Sequence, residues 1–206
     1  MKLNVPFVKN QKKWKGRGFC GPIALASIFK YYNIKISVEQ IAKTAGSVKG
    51  GGTSPRGLAF SCLLNGLNVD YLNKYAEVKL NRKEYSNRYN LFLKKIKEPK
   101  SDLKFKKKCQ KYLNYKVIKI EPTIRRIEYY LFEGKPVILF FNLGVVCGND
   151  NLWSHYIVAV GFDKNNLYVH NIFPSNQAYQ KIPKKIFENA WNSDGMDKTL
   201  IIPYHN

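Results

Sequence analysis

With 206 residues, 45% of them hydrophobic and 14% aromatic, the chain can fill one substantial core, and a single domain carrying an insertion is expected. Four widely scattered cysteines, Cys20, Cys62, Cys109 and Cys147, exclude a disulfide framework and a cysteine-based zinc site, and no apolar run reaches membrane-spanning length. The formal net charge of +21 attracts polyanions, either nucleic acid or an acidic membrane face, in a salt-dependent way.

In chain order, Met1-Lys2-Leu3-Asn4-Val5-Pro6-Phe7 lacks the long apolar stretch of a secretory signal, so a soluble, cytoplasmic protein with reduced thiols is expected. Gln11 lies in a polar, glycine-punctuated approach to Arg17-Gly18-Phe19-Cys20-Gly21-Pro22, which opens an apolar helix through Phe29. Gly18 and Gly21 would keep bulky side chains away from the cysteine. A thiol at a helix N-terminus meets unpaired amides and the positive end of the dipole, which favour the thiolate. By itself Cys20 reads equally well as a buried thiol, because free cysteine is among the most buried residue types.

Ser37-Val38-Glu39-Gln40 predicts a capping box opening a short helix that Gly46 closes. Gly50-Gly51-Gly52 lacks the Gly-Lys-Ser/Thr ending of a phosphate-binding loop and reads as a hinge. Ser54 caps the next helix, with Pro55 in its first turn, and Asn65-Gly66 ends it before a short strand over 67–72. Between Lys74 and Lys119 there are 16 Lys and Arg against four Asp and Glu, a net of +12. That block, at about 73–119, reads as a basic helical insertion, with helices over 80–97 and 101–113, whose charge either attracts a polyanion or forms a solvated face. A strand over 116–121 and a helix over 123–132 ended by Gly134 follow.

From Pro136 the pattern turns to strands, over 137–141, 155–162, 167–172 and 199–204, with a helix over 183–191. Helices first and an antiparallel sheet later make an α+β arrangement, with N-terminal helices packed on a C-terminal sheet.

A thiol nucleophile needs a base to take its proton and a third group to fix the tautomer of that base. Only His155, His170 and His205 can serve as an imidazole base. If the hairpin joining the strands around His155 and Asn171 has the three-residue loop Asp163-Lys164-Asn165, with Asn165 left-handed, then His155 and Asn171 share one face and sit diagonally. His170 then faces the other side. A two- or four-residue loop reverses that parity unless a bulge intervenes. The oxyanion of a tetrahedral intermediate needs donors, for which the Cys20 amide and the Gln11 side chain are candidates. Trp14 and Trp153 are candidate walls of the cleft.

The chain resembles the papain-like cysteine peptidases, most closely the branch related to bacteriocin-processing peptidases that remove double-glycine leaders. The resemblance rests on Gln11, Phe19-Cys20-Gly21-Pro22, Trp153-Ser154-His155 continuing to Phe162-Asp163, Leu167-Tyr168-Val169-His170-Asn171 with Pro174, and Ile186-Phe187-Glu188-Asn189-Ala190-Trp191. It covers nearly the whole chain except 73–119. It implies a papain-like fold, Cys20 as nucleophile, His155 as base, Asn171 as orienting residue, Gln11 as oxyanion donor, and no cofactor. Two features depart from that branch, which usually has Asp where Asn171 stands and a shorter gap between the Gln and the Cys.

Two functions are therefore expected. The first is a cysteine peptidase or related acyl-transfer enzyme acting on a peptide or isopeptide bond in a peptide or protein, with acidic substrates attracted by the basic charge. The second is a catalytically retired peptidase scaffold that holds nucleic acid or another anionic partner through its basic insertion.

Overall fold

Helix α1 (Cys20–Tyr31) is apolar around most of its circumference, with every residue from Gly21 to Phe29 buried, and a helix of that kind belongs inside a core. The computed structural model describes residues 1–14, 18–48, 51–73, 76–80, 117–118, 122–149, 153–193, 196 and 198–205. Among these, α1 packs on strand β5 (Ser154–Phe162) of an antiparallel eight-stranded sheet. The strands are β1 (Asn68–Asn73), β2 (Ala76–Leu80), β3 (Val117–Ile118), β4 (Val137–Asn142), β5, β6 (Asn166–Asn171), β7 (Gln177–Pro183) and β8 (Thr199–Tyr204), in the spatial order β3-β2-β1-β8-β4-β5-β6-β7.

Both faces of the sheet are covered. Helices α1, α2 (Val38–Thr44) and α3 (Pro55–Leu64) share a core with Tyr156, Val158 and Val160 of β5. Helix α4 (Ile124–Phe132), the short α5 (Leu143–Val146) and α6 (Lys184–Asn192) cover the other face, where Ile157 and Ala159 meet Ile127, Leu131, Phe187 and Trp191. Alternation along a strand sends successive side chains into opposite cores, so β5 reads as an unbroken apolar run.

The caps follow local sequence. Ser37 and Gln40 form the reciprocal capping box, Ser54 accepts from the Gly57 amide with Pro55 in the first turn, and Thr123 accepts from Arg126. Gly46, Gly66 and Gly134 all take positive φ just past helix ends. Strand β7 and α5 escape the sequence reading. β7 is an edge strand in which only Ile182 among its seven residues is buried, so it carries no apolar alternation.

Residues at the ends of the expected insertion extend the sheet, since β2 pairs with β1 and β3 with β2. The remainder of the Lys-rich segment at 73–119, including the helices expected over 80–97 and 101–113 and Cys109, lies outside the described residues. Among the described residues no helix is long and apolar enough to cross a membrane.

The β5–β6 hairpin corrects the expected turn but keeps its consequence. Phe162 pairs with Leu167, leaving the four residues 163–166 in the turn, and Asn165 is not left-handed. Instead the Asp163 Oδ1 accepts from the Asn165 and Asn166 amides, each at 2.8 Å, in an Asx-type turn. A bulge between Ala159 and Gly161 then restores the register, so that Val158 pairs with His170. The Val160 carbonyl accepts from the Leu3 amide at 2.7 Å, so the N-terminal residues complete the ladder that the bulge interrupts.

Candidate active site

Cys20 is the first residue of α1, and its N-cap Phe19 offers no side-chain acceptor to the first-turn amides. A cavity of about 470 Å³ opens over it, lined by Trp14, Phe19, Phe140, Trp153, Ile172 and Phe173 together with Cys20 and His155. The two residues lie 135 positions apart in the chain and reach one cleft because α1 packs against β5.

His155 is buried near the start of β5, with its Nε2 3.2 Å from Asn171 Oδ1. Oδ1 also accepts from the Phe173 amide at 3.2 Å, which identifies that atom as the carbonyl oxygen. A carbonyl only accepts, so Nε2 carries the imidazole proton and Nδ1 is left with its lone pair. His170 has both ring nitrogens engaged, donating from Nε2 to the Val5 carbonyl at 2.8 Å and accepting from the Tyr179 amide at 3.2 Å. It serves the N-terminal segment and β7, not the cleft.

Burial sets the protonation of both groups. Desolvation lowers the His155 pKa from 6.5 to about 4, against an opposing effect of the Asn171 hydrogen bond. Desolvation also raises the Cys20 pKa, outweighing the backbone amides of Tyr156, Gly21 and Cys20 itself, which favour the thiolate. Desolvation thus works against the charged form of both groups. At Cys20 the amides of the helix N-terminus act toward the thiolate, as the sequence suggests, and desolvation of the partly buried sulfur opposes them.

The surroundings of the cleft are fixed by hydrogen bonds. Trp14 is buried, and its Nε1–H donates to Glu39 Oε1 at 2.9 Å, while Lys13 pairs with the same oxygen at 2.9 Å. Trp153 is anchored by Asn142, whose Oδ1 accepts its amide at 2.9 Å, and its ring meets Phe173 edge-on at 5.0 Å. Tyr156 donates its hydroxyl to the Thr53 carbonyl at 2.9 Å, tying the loop before α3 to the sheet.

Gly18 and Gly52 line the cleft where two backbones touch. Gly18 has φ +69°, and a Cβ on it would stand 2.7 Å from the Gly52 Cα and N, so no other residue fits. Gly21 plays a different part from the one expected, because it is buried and its open side faces Leu58 and Tyr156, in the core. The Gly51-Gly52 pair, read from sequence as a hinge, forms one wall.

Three of the four residues predicted from sequence lie together: Cys20 and His155 in the cleft and Asn171 behind the imidazole. Gln11 is exposed and does not line the cavity, whereas its neighbour Asn10 does. Sequence reading missed Asn10, Phe140, Ile172 and Phe173, whose only signal is apolar or amide character shared with much of the chain.

A model of the Peptidase_C39 like family matches residues 2–198. The fold is similar to the peptidase domain of Streptococcus ComA, a bi-functional ABC transporter involved in quorum sensing, with a TM-score of 0.54 and 18% identity over 100% of this chain and 98% of that one. It is also similar to a C39-like peptidase from Bacillus anthracis, with a TM-score of 0.56 and 15% identity over 100% and 99%. A double glycine motif protease from an AMS/PCAT transporter, solved with its leader peptide, gives a TM-score of 0.52 and 15% identity over 98% and 92%. No curated protein matches the chain.

Proposed function

The chain belongs to the Peptidase_C39 like family and is a papain-like cysteine peptidase; from that premise we propose that Cys20 is its nucleophile, His155 its general base and Asn171 the residue that orients the base. The observation that carries this reading is the shared cleft of Cys20 and His155, with the imidazole held through Nε2 by Asn171.

Nδ1 of His155 takes the Sγ proton as sulfur attacks the substrate carbonyl carbon, forming the C–S bond and a tetrahedral oxyanion. The Cys20 amide is one donor to that oxygen, and Gln11 remains a candidate second donor if substrate brings its exposed side chain inward. The imidazolium then protonates the leaving amine as the C–N bond breaks. Water, deprotonated by the same Nδ1, attacks the acyl-enzyme and releases acid and thiol.

Support for a peptide substrate comes from the similar double glycine motif protease solved with a leader peptide. Among the described residues the cavity lining carries no Lys, Arg, Asp or Glu, and its apolar and aromatic side chains suit an uncharged stretch of peptide. Free Cys62 and Cys147 beside Cys20 accord with a reducing compartment such as the cytoplasm.

A peptidyl thiol-reactive probe, followed by mass mapping of Cys20, Cys62, Cys109 and Cys147, tests the assignment. Labelling should fall on Cys20, and both the labelling and peptide turnover should drop by at least about 10³-fold in Cys20→Ala and His155→Ala. Equal labelling of all four thiols, or turnover that survives either change, overturns it.

A further inference from the structure

An orienting asparagine has a requirement that an aspartate does not. A carboxylate presents the same oxygen whichever way it turns, but an amide offers an acceptor on one side and a donor on the other. If Asn171 flips, its Nδ2 donates toward His155 Nε2, the imidazole proton moves to Nδ1, and that nitrogen can no longer accept from the thiol. The amide must therefore be held in one orientation, and a partner at each end makes that hold stronger.

Oδ1 is held by the Phe173 amide, and Nδ2 donates to Gln180 Oε1 at 2.8 Å. Asn171 Nδ2 only donates, so the Gln180 atom that faces it is the carbonyl Oε1, which also accepts from Ser175 Oγ at 3.2 Å. The backbone is shaped to bring Gln180 there. Val169 pairs with Gln180 and Asn171 with Gln177, so Ala178 and Tyr179 together oppose His170, a bulge on β7. Tyr179 has φ +50°, uncommon for a bulky aromatic residue, and its amide is tied to His170 Nδ1. Gln180 lies on the face of Asn171 as a diagonal neighbour.

We propose that Gln180 is a positioning residue that locks the Asn171 amide, and through it the His155 tautomer, in the orientation the reaction requires. The inference rests on the peptidase reading above, so its primary readout is spectroscopic and does not depend on turnover.

In ¹⁵N-labelled protein, the His155 ring should show the Nε2–H tautomer. Gln180→Met should convert it to a mixture containing Nδ1–H, with kcat lowered about 10- to 100-fold and KM little changed. In an Asn171→Asp background the carboxylate has no wrong orientation, so adding Gln180→Met should cost less than about threefold in kcat. Equal losses in the two backgrounds, or an unaltered tautomer in Gln180→Met, overturn the proposal. Should Gln180→Met fold poorly, Gln180→Glu keeps the acceptor and adds a charge one step from the imidazole. It should retain kcat within about threefold and move the acid limb of the kcat/KM profile to higher pH; an unmoved limb overturns the proposal. A wild-type protein with the Nε2–H tautomer but no peptidase activity would instead count against the peptidase reading.

Discussion

The chemistry at the residue scale is set by burial acting on two groups with opposite charge preferences. A thiol becomes an anion and an imidazole a cation when they titrate, so desolvation raises the first pKa and lowers the second. The same burial has a cost at low pH. Above about 6.5, His155 is neutral folded and unfolded and contributes nothing to linkage. Below that, the unfolded chain takes up a proton that the folded chain refuses, and stability is lost until the folded value of about 4 is reached. Between pH 7.5 and 5.0 this amounts to on the order of 1–2 kcal/mol. His170, whose pKa is also lowered by burial, acts in the same direction. Denaturant midpoints at the two pH values should therefore differ more for the wild type than for His155→Gln; identical acid losses would rule out a buried neutral His155. The residue types were legible beforehand: Cys20 at a helix start, His155 and Asn171 on consecutive strands. Gln180 was not, because a glutamine on a polar edge strand has no sequence signal apart from its three-dimensional neighbours.

Among the elements, close contacts between backbones decide where the helices sit. Helix α3 approaches the end of α2 so closely that a Cβ on Gly57 would stand 2.1 Å from the Ala45 carbonyl oxygen. That neighbour is backbone and cannot rotate away, so Gly57→Ala should destabilise the fold by roughly 1–3 kcal/mol, measured as a lower urea midpoint. An unchanged midpoint would mean that the two helices can separate freely. The ends of α2, α3 and α4 were readable because a cap is a local bargain between a side chain and amides two or three residues away. The bulges at Val160 and Tyr179 were not readable, since each answers to a partner outside its own strand: the first to residues 1–3, the second to the His170 ring on β6. Both lie beside the site, and the first converts a four-residue turn into the register that a three-residue turn would have produced.

Over the whole molecule, positive charge dominates. The chain carries +21, while the described cavity lining carries no charged side chain. Long-range attraction and local recognition should therefore respond differently to salt. For peptides sharing one uncharged cleavage site, kcat/KM of a variant with a flanking acidic tail should fall several-fold between about 50 and 500 mM NaCl, as screening shortens to a few ångströms. The uncharged parent should hardly change; equal salt dependence of the two would show that the charge does not steer substrate. The sequence by itself determined the α+β class, the helix caps, most of the strands and the order Gln, Cys, His, Asn, because hydrophobic period and capping are short-range properties. Only the tertiary structure decided that both faces of the sheet are covered, that two bulges aim Asn171 and Gln180, that Asn10 rather than Gln11 lines the cleft, and that desolvation opposes the helix amides at Cys20. Each of these depends on what packs around a residue, and packing is set by segments far apart in the chain.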